Sequence, residues 1–213
     1  LSINAGGSST YNNAVKAIEL LEEERPGFTM KIQVIDSQTY SMPYGWYFCE
    51  CARKVRNGGE LAACVGELKQ KLDCVEICLA AYSLKQMKKS GRISAAAAVV
   101  GDLLGIRPII SLNAGVSKVE AKVRGDAAVP AAMLKWVESR VDSMRDTPYM
   151  VAYTSSTAKR DELAKLCRKA FGHPPLIVFQ LGGVVSANTG PDAIAIVYEG
   201  HPRNLEAYAP QLP

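Results

Sequence analysis

The chain holds 213 residues, 48% of them hydrophobic and 22% charged, with a formal net charge of +4. That apolar share can bury the core of one large domain or two modest ones and excludes an intrinsically disordered chain. So slight a charge, with lysines and arginines spread among acids, argues against a nucleic-acid binder, and no apolar run approaches a membrane span.

Residues 1–4 read as a strand entered in its middle, so the sequence is taken as part of a longer chain. The small-residue turn Ala5-Gly6-Gly7-Ser8-Ser9 leads into a helix with Tyr11, Ala14, Ile18 and Leu21 at helical spacing, which Pro26-Gly27 stops. A second strand is predicted over 31–35, running into Asp36-Ser37. Helices follow over 45–55 and along Leu61, Val65, Leu68 and Leu72, then an apolar strand over 74–80. Alternating strands and helices predict an α/β chain whose residues 1–80 form a Rossmann-like parallel-sheet lobe, incomplete at its N-terminus.

From Tyr82 the texture changes. A short basic helix leads through Ser90-Gly91-Arg92-Ile93-Ser94 to an alanine-rich helix ending at Leu104. Strands over 107–112 and 118–123, joined by Asn113-Ala114-Gly115, predict an antiparallel hairpin. Helices over 131–143 and 158–170 flank a strand over 149–154, and strands over 176–180 and 193–198 close the pattern. Residues 81–213 are therefore read as a second, α+β lobe with a mixed or antiparallel sheet.

The six cysteines include no C-x-x-C pair, and His173 and His201 lie far along the chain, so a zinc site has little support and no metal or cofactor is expected. Cys49 and Cys51 point in different directions on a helix, whereas Cys74 and Cys78 would share one face of a strand. Without a disulfide framework or a secretory signal, reduced thiols in a cytoplasm are the expectation. Lys85, Lys88 and Lys89 read as one solvated helix face.

Three motifs carry a resemblance to a known family. Gly6-Gly7-Ser8-Ser9-Thr10-Tyr11-Asn12-Asn13-Ala14 resembles the DegV family's strand-to-helix turn, S-S-x-L-S-G-T-Y-x-x-A. Gly91-Arg92-Ile93-Ser94, Leu104-Gly105-Ile106-Arg107-Pro108-Ile109 and Lys122-Val123-Arg124 are similar to its G-G-R-I-S, L-x-I-K-P-I and K-x-R series, in that order. Val184-Val185-Ser186-Ala187-Asn188-Thr189-Gly190-Pro191 is similar to its V-I-x-x-H-T-G-P segment, and Asp36-Ser37 with Ser41-Met42 fits its I-D-S-x-x-x-S-M-G stretch.

The resemblance implies a non-enzymatic, cytoplasmic carrier of a long-chain fatty acid such as palmitate or stearate, serving phospholipid metabolism. The ligand's carboxylate would be presented to a separate fatty acid kinase, with no nucleic acid and no integral membrane contact. It further implies that Ser8, Arg92 and Asn188 bind the carboxylate, with Ser9, Thr10, Ser94 and Thr189 in support and Arg124 facing the kinase. A threonine from an upstream T-S-x-P segment, outside this sequence, completes the family's site. Ser9 stands where the family has Gly, Ser90 where it has the first Gly of G-G-R, Asp192 where Gly often follows the Pro, and Asn188 where it has His. An amide can hydrogen-bond a carboxylate but does not titrate near neutral pH.

Physical chemistry points the same way without the family. A serine at a helix N-terminus meets free N–H groups and a dipole that favour an anion. Each charge-assisted hydrogen bond contributes roughly 1.5–3 kcal/mol, and a long acyl chain, at about 0.8 kcal/mol per CH₂, on the order of 10 kcal/mol less ordering costs. Plainer readings stand beside these: Ser8 and Ser9 as N-caps, Arg92 as a solvated helix start, Thr189-Gly190-Pro191 as a turn, and Ala95 to Ala98 as close helix packing. Two other functions compete, a phosphate- or nucleotide-using enzyme on the first lobe and a scaffold that binds no lipid. The first lacks G-x-G-x-x-G and the P-loop lysine pattern.

Overall fold

Six consecutive residues, Val75–Ala80, are buried without a break and form β1, from which the sheet is built outward. The computed structural model describes residues 1–83, 85–91 and 105–203. Five more strands follow: β2 (Ile106–Asn113), β3 (Val116–Arg124), β4 (Tyr149–Tyr153), β5 (Val178–Gln180) and β6 (Ile194–Glu199). Their order is β3-β2-β1-β6-β4-β5. All pairs are antiparallel except β4 with β5, which is parallel. The described helices are α1 (Thr10–Glu24), α2 (Met42–Arg56), α3 (Leu61–Cys74), α4 (Lys85–Ser90), α5 (Val129–Glu138), α6 (Thr157–Phe171) and α7 (Gly183–Thr189).

Strand alternation divides the core in two. On one face Ile77, Leu79, Ile110, Ala195 and Val197 meet Tyr47 and Cys51 of α2 and Leu68 and Leu72 of α3. On the other, Cys78, Ala80, Ile109, Ile194 and Ile196 meet Val129, Met133 and Val137 of α5 and Leu163, Cys167 and Phe171 of α6. Helix ends follow local chemistry. Ser156 accepts from Lys159 N at 3.2 Å to start α6, and Gly172 ends it in the left-handed region at φ 77°. Glu60 accepts from the N–H groups of Ala62 and Ala63 at the start of α3, which holds its carboxyl below the usual range.

Below the sheet, Glu76 is 3% exposed. It accepts from Arg140 Nη2 at 2.7 Å, Arg140 Nε at 3.2 Å and Tyr198 Oη at 2.9 Å. Burial, then the Glu76 charge, drives the Tyr198 hydroxyl far above its ordinary value. Arg203 fastens the N-terminal segment to the sheet, donating to Leu72 O (2.7 Å), Val75 O (3.0 Å) and Gln38 Oε1 (2.8 Å).

The α/β class and the mixed sheet are as read from sequence, and so is the hairpin, with a register shift between Ile109 and Ile110. Three details are corrected. Residues 31–35 form no strand; only an isolated parallel bridge, Ser2 to Asp36, joins that segment to the first residues. The strand placed in the first lobe's parallel sheet is β1, central and antiparallel to both neighbours. Cys74 ends α3 rather than sharing a strand face with Cys78. The alanine-rich segment after Gly91 lies outside the described residues.

Cys49 is exposed, whereas Cys51, Cys64, Cys78 and Cys167 are buried. Burial pushes Cys167 up to about 12 and Cys78 well above the usual thiol range. Because the thiolate is the nucleophile, DTNB at pH 8 is expected to label Cys49 fast and to reach Cys78 and Cys167 only after denaturation. Rapid labelling of either in the native protein would contradict this packing.

Candidate functional site

An apolar slot lies on the α2/α3 face of the sheet. Its floor is Ile77 and Leu79 of β1, Leu112 of β2, Ala195 and Val197 of β6, Ala152 of β4 and Phe179 of β5. Val185 and Thr189 of α7 border it with Leu181, and Tyr40 and Ser41 border it from the segment before α2. Ala152 and Ala195 are register partners, so two methyl groups sit side by side where larger residues surround them. Only about 30 Å³ of the slot is wide enough for water, room for about two waters. An acyl chain therefore has to push the walls apart.

Tyr40 joins the slot to the turn that precedes α1. A Cβ added at Gly7 would fall 2.5 Å from Tyr40 Oη and 2.8 Å from its ring, so only glycine lets the turn come this close. Two non-glycine residues in the left-handed region flank that contact, Gln38 (φ 53°) before Tyr40 and Ser41 (φ 62°) after it. Backbone held in such conformations costs on the order of 1–3 kcal/mol per residue and clusters at ligand sites. Asp36 Oδ1 ties the two segments, accepting from Ala5 N at 3.1 Å and Gln38 N at 2.9 Å.

Ser8 follows Gly7 directly. Its Oγ lies 2.8 Å from Thr10 Oγ1 and accepts weakly from Thr10 N at 3.3 Å. The plain capping reading and the ligand reading thus use the same oxygen. Ser9, the residue before α1, makes no side-chain cap, and Ser9 and Thr10 are exposed. On the opposite border, Asn188 Nδ2 donates to Val184 O at 2.7 Å, so its amide is engaged within its own helix. Thr189, buried and lining the slot, donates to Val185 O at 3.1 Å. Gly190 stops α7 at φ 85°, where a Cβ would crowd Gln86 Oε1 at 3.0 Å and Ser83 O at 3.3 Å. Arg124 is exposed at the end of β3. Arg92 and Ser94 lie outside the described residues.

The slot was not visible in sequence, because its walls come from five strands and two separate segments. α7 was missed as a helix, and Tyr40 was missed as the link between turn and slot. Beside the slot, and sharing Leu181 with it, an open cleft of about 510 Å³ runs past Thr154, Ser155, Gln180, Gly182 and Pro191. Its polar side chains are engaged internally. Thr154 Oγ1 bonds Ala193 at 2.9 Å, Ser155 bonds Asp192 at 3.0 Å and Gln180 donates to Thr154 O at 2.7 Å. Among the described residues no group of His, Cys, Asp or Glu is arranged to hold a metal ion. None of the described helices is long and apolar enough to cross a membrane.

Comparison with known proteins bears on this geometry. The family model DegV, described as an uncharacterised protein family of that name, matches residues 1–201. A DegV domain-containing protein of Clostridium perfringens is 26% identical over 204 residues, covering 94% of this chain and 68% of the relative. A DegV family protein of Eubacterium eligens, solved loaded with heptadecanoic acid, superposes with a TM-score of 0.80 at 22% identity, over 93% of this chain and 71% of that one. A stearic acid-binding protein of Eubacterium ventriosum gives a TM-score of 0.80 at 21% identity, over 93% and 68%. At those identities the two structures establish the shared fold.

Proposed function

The chain belongs to the DegV family, and on that premise we propose that it binds a long-chain fatty acid and carries out no chemistry on it. The supporting observation is the apolar slot that ends against Tyr40, whose other side packs on the Gly7-Ser8 turn. In this reading the acyl chain lies in the slot, displacing its walls, and apolar burial supplies affinity while the polar end supplies orientation. The carboxylate is held at the Ser8 turn, with Arg92 and Asn188 closing over it and Ser9, Thr10, Ser94 and Thr189 in support. Asn188 Nδ2 spends one hydrogen on Val184 O, and its second hydrogen is the donor to the carboxylate. The chain acts as two lobes, 1–80 and 81–213, with the first contributing β1 to the sheet of the second. Arg124, exposed at the end of β3, faces a fatty acid kinase that receives the presented carboxylate. The working compartment is the cytoplasm.

Native mass spectrometry of the protein purified from cells tests the reading. An added mass of palmitate or stearate supports it. A bound nucleotide favours the enzyme on the first lobe, and a clean protein favours a scaffold. Ser8→Ala and Arg92→Ala are each expected to weaken palmitate binding about tenfold or more, the worth of one charge-assisted hydrogen bond. Arg124→Ala should leave palmitate affinity unchanged and lower phosphorylation by the kinase. Unaltered affinity in both of the first two variants would reject the assigned carboxylate site.

A further inference from the structure

Two buried polar groups behind the Ser8 turn have no partner: the amide nitrogen Nδ2 of Asn4 and the hydroxyl Oγ1 of Thr39. Asn4 is 1% exposed and Thr39 is 2% exposed. They adjoin, because Asn4 N donates to Thr39 O at 3.0 Å. An unsatisfied buried donor is costly, and such groups are rare in folded proteins.

The Asn4 amide cannot relieve this by turning over. Its Oδ1 accepts from Gly6 N at 2.7 Å, which fixes which end is oxygen. That oxygen is wedged between two backbones: a Cβ would lie 3.1 Å from it at Gly6 and 2.7 Å from it at Gly115. The tip of the β2–β3 hairpin therefore clamps the amide, and Nδ2 is held in place with both hydrogens unspent. Thr39 is similarly set. Its backbone is tied on both sides: its N donates to Ser37 Oγ at 3.3 Å and its O accepts from the Ser37 hydroxyl at 3.1 Å. Both residues neighbour the site: Asn4 begins the turn that ends in Ser8, and Thr39 precedes the slot-lining Tyr40.

We propose that Asn4 Nδ2 and Thr39 Oγ1 are two further donors to the carboxylate of the bound fatty acid, a pair that no motif in the sequence marks. This assignment rests on the fatty-acid reading above. Both are neutral donors, so they stabilise the anion without titrating. Asn4 stands before the turn that carries Ser8, and Thr39 is tied to it through the Asn4 N–H. The unmet hydrogen bonds in the free protein become part of the driving force for loading, because the ligand satisfies groups that the fold leaves bare.

Two near-isosteric substitutions test the pair, with palmitate and the neutral hexadecanol as probes. Asn4→Asp keeps the oxygen that Gly6 needs and replaces the donor with an acceptor that repels a carboxylate. Palmitate binding should fall about tenfold or more, with a much smaller loss for hexadecanol. Thr39→Val removes a hydroxyl without a partner, so the ligand-free protein should melt at a higher temperature while palmitate binds about tenfold more weakly. That opposition of stability and affinity is what a purely structural threonine would not give. Thr39→Val decides the matter if Asn4→Asp fails to fold. Palmitate affinity within twofold of the parent, or a lower melting temperature in Thr39→Val, overturns the donor pair alone. Failure of the parent protein to bind either probe overturns the fatty-acid reading as well.

Discussion

Ala195→Leu is expected to weaken palmitate binding about a hundredfold while leaving a folded protein. Ala195 and Ala152 are register partners at the centre of the slot's floor, and Ala195 is 1% exposed. A leucine there projects into a space of which only about 30 Å³ is wide enough for water. Shutting three or four methylenes out of the slot costs roughly 2.4–3.2 kcal/mol at about 0.8 kcal/mol each, which is about a hundredfold in affinity. Overpacking of this kind destabilises by about 1–3 kcal/mol, so circular dichroism should still report the parent fold. Isothermal titration with palmitate makes the measurement, and Ser8→Ala provides the contrast. The leucine should penalise longer chains more, and the serine change should cost the same at every length. Full affinity in Ala195→Leu would place the acyl chain elsewhere, with the cleft beside Leu181 as the next candidate.

The amphipathic helices were legible because α2, α3, α5 and α6 bury residues three or four apart against the sheet. The hairpin was legible because a short turn at Ala114-Gly115 brings its two strands back against each other. The pairing of β1 was not. A continuously buried run reads the same in a parallel or an antiparallel sheet, and its partner Ile196 lies far along the chain from Cys78. Residues 31–35 alternate like a strand, but alternation names a face, not a neighbour, and the parallel pairing stops at Ser2 and Asp36. α7 was hidden by its own composition, since Gly183, Val184 and Val185 are poor helix formers. Of the site, Ser8 was visible as a motif on a helix start. The slot and the Asn4–Thr39 pair were not, because their meaning depends on contacts with Tyr40 and Gly115 from distant parts of the chain.

Arg140→Met is expected to lower stability by about 3–5 kcal/mol, towards the lower value because the arginine side chain is 35% exposed and partly screened by solvent. The loss comes from Glu76, whose side chain is only 4% exposed and would keep just the Tyr198 hydroxyl as a donor. Glu76→Gln should cost less, about 1–3 kcal/mol, because the amide oxygen still accepts from Arg140 or Tyr198. The double change Glu76→Met with Arg140→Met should recover part of the Arg140→Met loss, as a buried charge no longer stands alone. Adding Tyr198→Phe should recover more by removing the last unpartnered hydroxyl. Urea unfolding at neutral pH reads all four, with the midpoint moving and the slope unchanged. Glu76 lies on the α5/α6 side of β1, whereas Ile77 and Leu79 of the same strand face the slot. The folded fraction of each variant should therefore bind palmitate with the parent's affinity. A matching loss of affinity would mean that the knot under β1 sets the slot's shape as well as its stability, and the division between scaffold and site drawn from strand alternation would fail.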